Sequence, residues 1–150
     1  MRSVVQRVTE ASVSIGANTV GRIGRGLLVL VGVEVGDAAA DAEWLAGQVA
    51  QMRIFADGDG KMNLSVREID GGVLVISQFT LLADTRKGNR PSFVRAARPP
   101  EAVPLYEYFL DMIEKQTGQP PVRGVFAADM KVQLVNDGPV TIVCDSRQRE

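Results

Sequence analysis

The sequence predicts an α+β fold in which a largely antiparallel β-sheet carries two main helices. Three observations support this: short alternating or apolar runs joined by glycine-bearing loops, two stretches whose apolar residues recur at helical spacing, and a length of 150 residues. That length suits one domain over residues 1–150, large enough to bury about two-thirds of its unfolded-chain surface.

Val4 to Ile15 reads as a strand or a bent pair of strands, closing on an alternation that sets Ala11, Val13 and Ile15 on one face. Gly16-Ala17-Asn18 is a hairpin loop, Thr19 to Ile23 returns, and Gly24-Arg25-Gly26 turns again. Leu27 to Val33 is apolar enough to be covered on both faces. Loops this short make these strands antiparallel neighbours. Gly21, Gly24 and Gly26 do not form a dinucleotide loop, because the spacing is reversed and a strand follows them. Asp37 to Met52 is the first helix, with Asp37 as N-cap, Ala38, Ala42, Leu45, Val49 and Met52 along one face, and Trp44 packing toward the sheet.

Asp57-Gly58-Asp59-Gly60 puts Glu68 where a calcium loop needs its last ligand. Lys61 and Met62 then fall where that loop needs a ligand and a glycine, so the segment reads as a polar hairpin turn. Asn63 to Val66 and Val73 to Phe79 are strands separated by Asp70-Gly71-Gly72. Pro104 starts or closely precedes the second helix, whose buried stripe is Leu105, Tyr108, Phe109 and Met112 and which stops at Gly118. Val122 to Phe126 and Met130 to Val135 complete the strands, Val140 to Val143 resumes their character, and the polar tail from Asp145 to Glu150 is expected to fray.

The chain contains no histidine, which excludes a Ser-His-Asp or Cys-His nucleophile, a histidine zinc site and an imidazole general base. Cys144 is the only cysteine and reads as a small core hydrophobe. The longest apolar run is too short to span a bilayer and the N-terminus lacks a signal-peptide pattern, so a cytoplasmic protein with no membrane partner is expected. A net charge of -1 offers no global attraction to nucleic acid. The charge hides a local patch, however. Ala83 to Arg98 has no periodicity and carries Arg86, Lys87, Arg90, Arg95 and Arg98 against one acid, Asp84, together with Phe93. Such a loop suits either plain solvation or contacts to a phosphate backbone.

Two further stretches stand out. Ser77-Gln78-Phe79-Thr80 gathers hydroxyl and amide groups at the end of a buried strand, a favoured place for sites, although Ser and Thr at a strand end also satisfy local backbone groups. Asn136-Asp137-Gly138-Pro139-Val140-Thr141 interrupts a strand with a residue that has no N–H, and taken alone it suits either an ordinary turn or a rigid presentation of carbonyl groups.

Ser77-Gln78-Phe79-Thr80-Leu81, Ala83-Asp84-Thr85-Arg86-Lys87-Gly88, Arg90-Pro91-Ser92-Phe93 and Asn136 to Thr141, in this order, closely resemble the D-aminoacyl-tRNA deacylase family. The likeness runs from Val5-Gln6-Arg7-Val8 to Met130-Lys131-Val132 and covers nearly the whole chain. Leu82, Asn89 and Ala127 depart from it, standing where a tyrosine, a second basic residue and a glycine are expected.

The resemblance implies a compact barrel-like fold and a homodimeric ester hydrolase that needs no metal or cofactor. Its substrates would be D-aminoacyl-tRNA and glycyl-tRNA mischarged on tRNA-Ala, and DNA would not be a partner. It implies a cis Gly138-Pro139 bond that enters the other subunit's pocket and excludes L-amino acids by collision, with Asn136 and Arg7 counted in the same substrate-binding filter and Arg7 holding the segment in place. Phe126 and Met130 would line an adenine pocket, and Arg86, Lys87 and Arg90 would contact tRNA phosphates. Ser77, Gln78, Phe79 and Thr80 form the catalytic stretch. Without histidine, backbone N–H groups around Gln78, Phe79 and Thr80 would form an oxyanion hole. Water assisted by the tRNA 2′-hydroxyl is preferred to Thr80 as nucleophile, because no base stands ready to activate that alcohol. A non-catalytic RNA-binding module and an editing domain for another mischarged amino acid are the alternatives.

Overall fold

The computed structural model describes residues 1–149. In chain order its elements are β1 (Arg2–Ile15), β2 (Asn18–Ile23), β3 (Gly26–Gly32), α1 (Ala39–Gln51), β4 (Phe55–Ala56), β5 (Met62–Leu64), β6 (Gly72–Ser77), α2 (Pro99–Thr117), β7 (Val122–Arg123) and β8 (Lys131–Asp145).

β1 organises the sheet. One of its edges pairs antiparallel with β2 and then β3, which follow one another end to end, while the other edge pairs antiparallel with β8. From β3 onward the direction changes, since β3 pairs parallel with β6, from Gly26↔Gly72 to Val31↔Ser77, and β6 pairs parallel with β7. The helices explain this. α1 and the β4–β5 hairpin intervene between β3 and β6, α2 intervenes between β6 and β7, and a crossover of that length brings the chain back in the same direction. The ends of the β2-β1-β3-β6-β7 order then approach one another. A Cβ on Gly21 of β2 would lie 2.6 Å from Val122 Cγ1 of β7, so glycine lets this mixed sheet curl into a nearly closed barrel.

Strand alternation sorts the apolar residues into two cores. Val8, Val13, Leu28, Leu74 and Ile76 fill the barrel interior, whereas Val5, Leu27, Val29, Val31 and Val75 face the two helices. The continuous run in β3 is therefore buried on both sides, as its composition suggests. α1 buries Ala42, Leu45 and Val49 of the expected stripe, together with Ala46 and Ala50, and Trp44 packs against the same core. The Asp57–Gly60 turn closes the β4–β5 hairpin, with Asp57 Oδ1 accepting the Asp59 and Lys61 N–H groups at 2.9 and 3.0 Å.

Several expectations need correction. α2 begins at Pro99, because its first turn needs no N–H from Pro99 or Pro100, and Pro104 sits inside it. Its buried face is accordingly Ala102, Tyr106, Phe109, Leu110 and Ile113, while Leu105, Tyr108 and Met112 are half-buried. The strand ending in β6 stops at Ser77, and the one in β7 spans only Val122 and Arg123. Asp37 is no cap. Its buried carboxylate pairs with the Met1 α-amine at 2.8 Å and with Arg147 at 2.9 Å, and Asp41 accepts the Ala38 N–H instead. The described part of the tail does not fray, because Ser146 Oγ accepts the Met1 amine at 2.6 Å and Arg149 lies 5.0 Å over the Trp44 ring. Glu150 lies outside the described residues. Neither described helix is long and apolar enough to cross a membrane.

Candidate active site

At Ser77 the parallel ladder between β3 and β6 reaches its last rung. Gln78 still donates its backbone N–H to Val31 O at 2.7 Å, and the chain then tightens into a 3-10 turn over Phe79–Leu82. A helical turn leaves its first N–H groups unpaired. Here they belong to Phe79 and Thr80, which donate to no backbone acceptor among the described residues. The Gln78 amide, counted with them on sequence, is committed to β3. Its side chain has another use: Nε2 donates to Thr80 Oγ1, so the Thr80 hydroxyl is held as an acceptor with its own proton free to donate outward.

This strand end opens into a cavity of about 580 Å³. Phe79, Phe93, Phe126 and Met130 line it together with Ile76 and Val132. Phe79 and Phe93 meet edge to face, with centroids 5.1 Å apart. Phe126 leans on Tyr106 at 5.7 Å. Tyr106 is buried and donates to Val75 O at 3.4 Å, and burial pushes its pKa up to about 12, so it remains a neutral phenol under that wall. Ala127, also on the pocket wall, adopts φ 63°, the left-handed region where glycine is favoured.

The basic loop is less free than its composition suggests. Its ends are pinned by mutual backbone hydrogen bonds between Asp84 and Ser92 at 2.8 and 2.9 Å, and by Ala97 N–H to Val33 O at 2.9 Å. Arg95 pairs with Glu34 at 2.8 Å and Arg86 with Asp84, whose carboxyl is held well below the usual range by the Arg86 guanidinium. Lys87 and Arg90 are exposed and make no ion pair among the described residues.

Gly138-Pro139 lies elsewhere. β1 advances from Gln6 to Val8 while β8 goes from Thr141 back to Asn136, so Asp137–Val140 bulges out opposite Arg7. The Gly138-Pro139 bond is cis and both residues are exposed. Arg7 donates to Asp137 O at 2.8 Å and to Ile54 O at 2.6 Å, fixing the bulge to the segment that follows α1. Asn136 Oδ1 accepts the Val140 N–H at 2.8 Å and its Nδ2 donates to Thr141 Oγ1 at 3.1 Å, closing the bulge at its base. Counted along the ladder from Ser77 through Val31 and Ser3, the bulge is three strand spacings away, about 14 Å, and four residues along β1, about 13 Å.

The structure thus groups Ser77, Gln78, Phe79, Phe126 and Met130 around one pocket, with Thr80 bonded to Gln78 beside it, and Arg7, Asn136, Gly138 and Pro139 in another place. Phe93, Arg98 and Tyr106 belong to the pocket or its support and were not singled out for it from sequence. Phe93 and Arg98 sit in the aperiodic stretch, and Tyr106 lies one position off the expected helical stripe.

Fold and pocket together define a class: a small mixed-sheet barrel flanked by two helices, with an aromatic pocket where a parallel strand ends in free backbone donors. A family model described as D-Tyr-tRNA(Tyr) deacylase matches residues 4–145. Chains named D-aminoacyl-tRNA deacylase from Akkermansia muciniphila and Opitutus terrae are each 59% identical over 150 residues, covering all of both chains. A solved structure titled "c-Myc DNA Unwinding Element Binding Protein" is 38% identical with a TM-score of 0.91, covering 97% of this chain and 98% of that one. A second, of a probable eukaryotic D-amino acid tRNA deacylase, is 17% identical with a TM-score of 0.81 over 96% and 98% of the chains, and shares the fold. The chain belongs to the D-Tyr-tRNA(Tyr) deacylase family, whose members are hydrolases.

Proposed function

We propose that this chain, working as one domain in the cytoplasm, hydrolyses the ester of D-aminoacyl-tRNA and of glycyl-tRNA mischarged on tRNA-Ala, releasing free tRNA and the amino acid. The observation that carries the reading is the pair of successive unpaired amides, that of Phe79, which lines an aromatic pocket suited to a terminal adenine, and that of Thr80 directly after it. Water adds to the ester carbonyl carbon, and the negative charge gathering on its oxygen is met by those two N–H groups. The adjacent ribose 2′-hydroxyl relays a proton from the water toward the departing 3′-oxygen. As the C–O bond breaks, that oxygen leaves protonated on the tRNA. Adenine lies between Phe126 and Met130, and Lys87, Arg90 and the paired Arg86 meet acceptor-stem phosphates.

Chirality is read by Gly138-Pro139 of a second copy. Within one chain that segment stands far from Ser77–Thr80 by the ladder count, and its exposure leaves it free to enter a partner's pocket. Its carbonyls hold the substrate amino group, and an L-side chain collides with the segment while a D-side chain points away. Deacylation of paired D-, L- and glycyl-tRNAs tests the reading. D-aminoacyl and glycyl esters should turn over and L-esters should not, a terminal 2′-deoxyadenosine should abolish turnover, and Thr80→Ala should retain it. Absence of hydrolysis on any D-aminoacyl-tRNA refutes the proposal, and activity that survives 2′-deoxy substitution but not Thr80→Ala reverses the mechanism. Excess single-stranded DNA should leave hydrolysis unchanged, which tests the exclusion of DNA as a partner.

A further inference from the structure

We infer that Arg98 binds the phosphate on the 5′ side of the terminal adenosine, so that the pocket selects a nucleotide and not merely a nucleoside. The inference rests on the pocket being the seat of the tRNA 3′ end, as proposed above. Arg98 is the cation that lines the cavity, and the other charged lining residue is Asp129. Asp129 is almost fully exposed, pairs with Lys131 at 3.3 Å, and repels an anion. Arg95 and Arg86 are engaged by Glu34 and Asp84, whereas the Arg98 side chain makes no ion pair or hydrogen bond among the described residues.

α2 starts at this wall, yet it offers an anion no backbone donor. Pro99 and Pro100 have no N–H, and the Glu101 and Ala102 N–H groups both donate to Arg98 O, at 2.9 and 2.8 Å. Attraction for a phosphate at this side of the pocket therefore falls to the Arg98 guanidinium, whose planar fork matches phosphate oxygens in pairs. A ribose whose 3′-ester faces Phe79 and Thr80 sends its 5′-oxygen out past the pocket rim, where the linking phosphate must find a counter-charge.

The test compares 3′-O-(D-tyrosyl)adenosine with its 5′-monophosphate, by kcat/KM, in the wild type, Arg98→Ala and Arg98→Lys. The wild type should favour the phosphorylated ester by about tenfold, the range of a hydrogen bond to a charged group. That preference should collapse in Arg98→Ala and return in part in Arg98→Lys, which restores a point charge without the fork. A structural role for Arg98 would lower both rates together and leave the ratio intact. An equal preference in wild type and Arg98→Ala, or none in the wild type, overturns the inference while leaving the hydrolase reading standing. A wild type that hydrolyses D-tyrosyl-tRNA but neither short ester overturns the inference and leaves the hydrolase reading standing, and a wild type that hydrolyses none of the three removes both.

Discussion

At Ser77 the ladder between β3 and β6 runs out, whereas at Asp137–Val140 the ladder between β1 and β8 is bypassed midway and resumes. The first interruption frees the Phe79 and Thr80 N–H groups because no further rung exists, and the side chains that reach the turn leave those donors open: Gln78 bonds the Thr80 hydroxyl and Arg2 donates to Leu81 O at 3.0 Å. The second leaves a loop inside a paired strand, and two side chains replace the lost rungs, Arg7 from β1 and Asn136 at the base of the bulge. Open donors suit charge that develops during a reaction, because they must be unoccupied beforehand. A clamped loop suits steric selection, because a wall that yields does not discriminate. The two sites differ in what holds them, so substitutions should separate them by stability before any activity is measured.

The largest separation should come from Arg7→Ala set against Thr80→Ala. Arg7 is 13% exposed and its guanidinium satisfies two carbonyls, those of Asp137 and Ile54. Truncation leaves both without their charged donor, and urea unfolding should register a loss of about 3 kcal/mol. Thr80 is exposed and meets only the Gln78 side chain, so its truncation should stay within about 0.5 kcal/mol of wild type. Similar losses in the two variants would break the contrast.

A smaller effect, about 1 kcal/mol, is expected for Asn136→Ala, which removes the acceptor of the Val140 N–H and the donor to Thr141. Because Asn136 and Arg7 restrain one bulge, their losses should not add. A double variant whose urea midpoint shift equals the sum of the single shifts would mean that the two clamps act independently.

Much of this architecture is legible in the sequence for a simple reason: alternation and helical spacing report which face of an element is buried. Leu27 to Val33 reads correctly as a doubly covered strand on that ground. Periodicity does not report which strand lies next door, so the parallel pairing of β3, β6 and β7 is not visible in it. Partner-dependent roles are equally hidden. Asp37 looks like a cap because it precedes a helix, and only the fold brings the Met1 amine and Arg147 to its carboxylate. At the pocket, the Ser77–Thr80 stretch is legible as polar groups at a strand end. The commitment of the Gln78 N–H to Val31 depends on a strand more than forty residues away and is not. Phe93 and Arg98 are legible as part of a basic loop, but not as pocket residues, because their stretch has no period from which to read a face.

The smallest expected effect concerns Ala127, an alanine where the resemblance noted in the sequence leads one to expect glycine. Ala127 holds φ 63° on the pocket wall, and an L-residue with a Cβ is disfavoured there by roughly 1 kcal/mol relative to glycine. Glycine gains more chain entropy on unfolding than alanine, which offsets part of the relief. The net for Ala127→Gly should be a gain of about 0.5 kcal/mol, seen as a small rise in urea midpoint at constant slope. It should also act on the open site alone, leaving the Arg7 and Asn136 losses unchanged when combined with them. A destabilised Ala127→Gly variant would mean that the methyl group packs against the pocket wall strongly enough to outweigh the strained backbone beneath it.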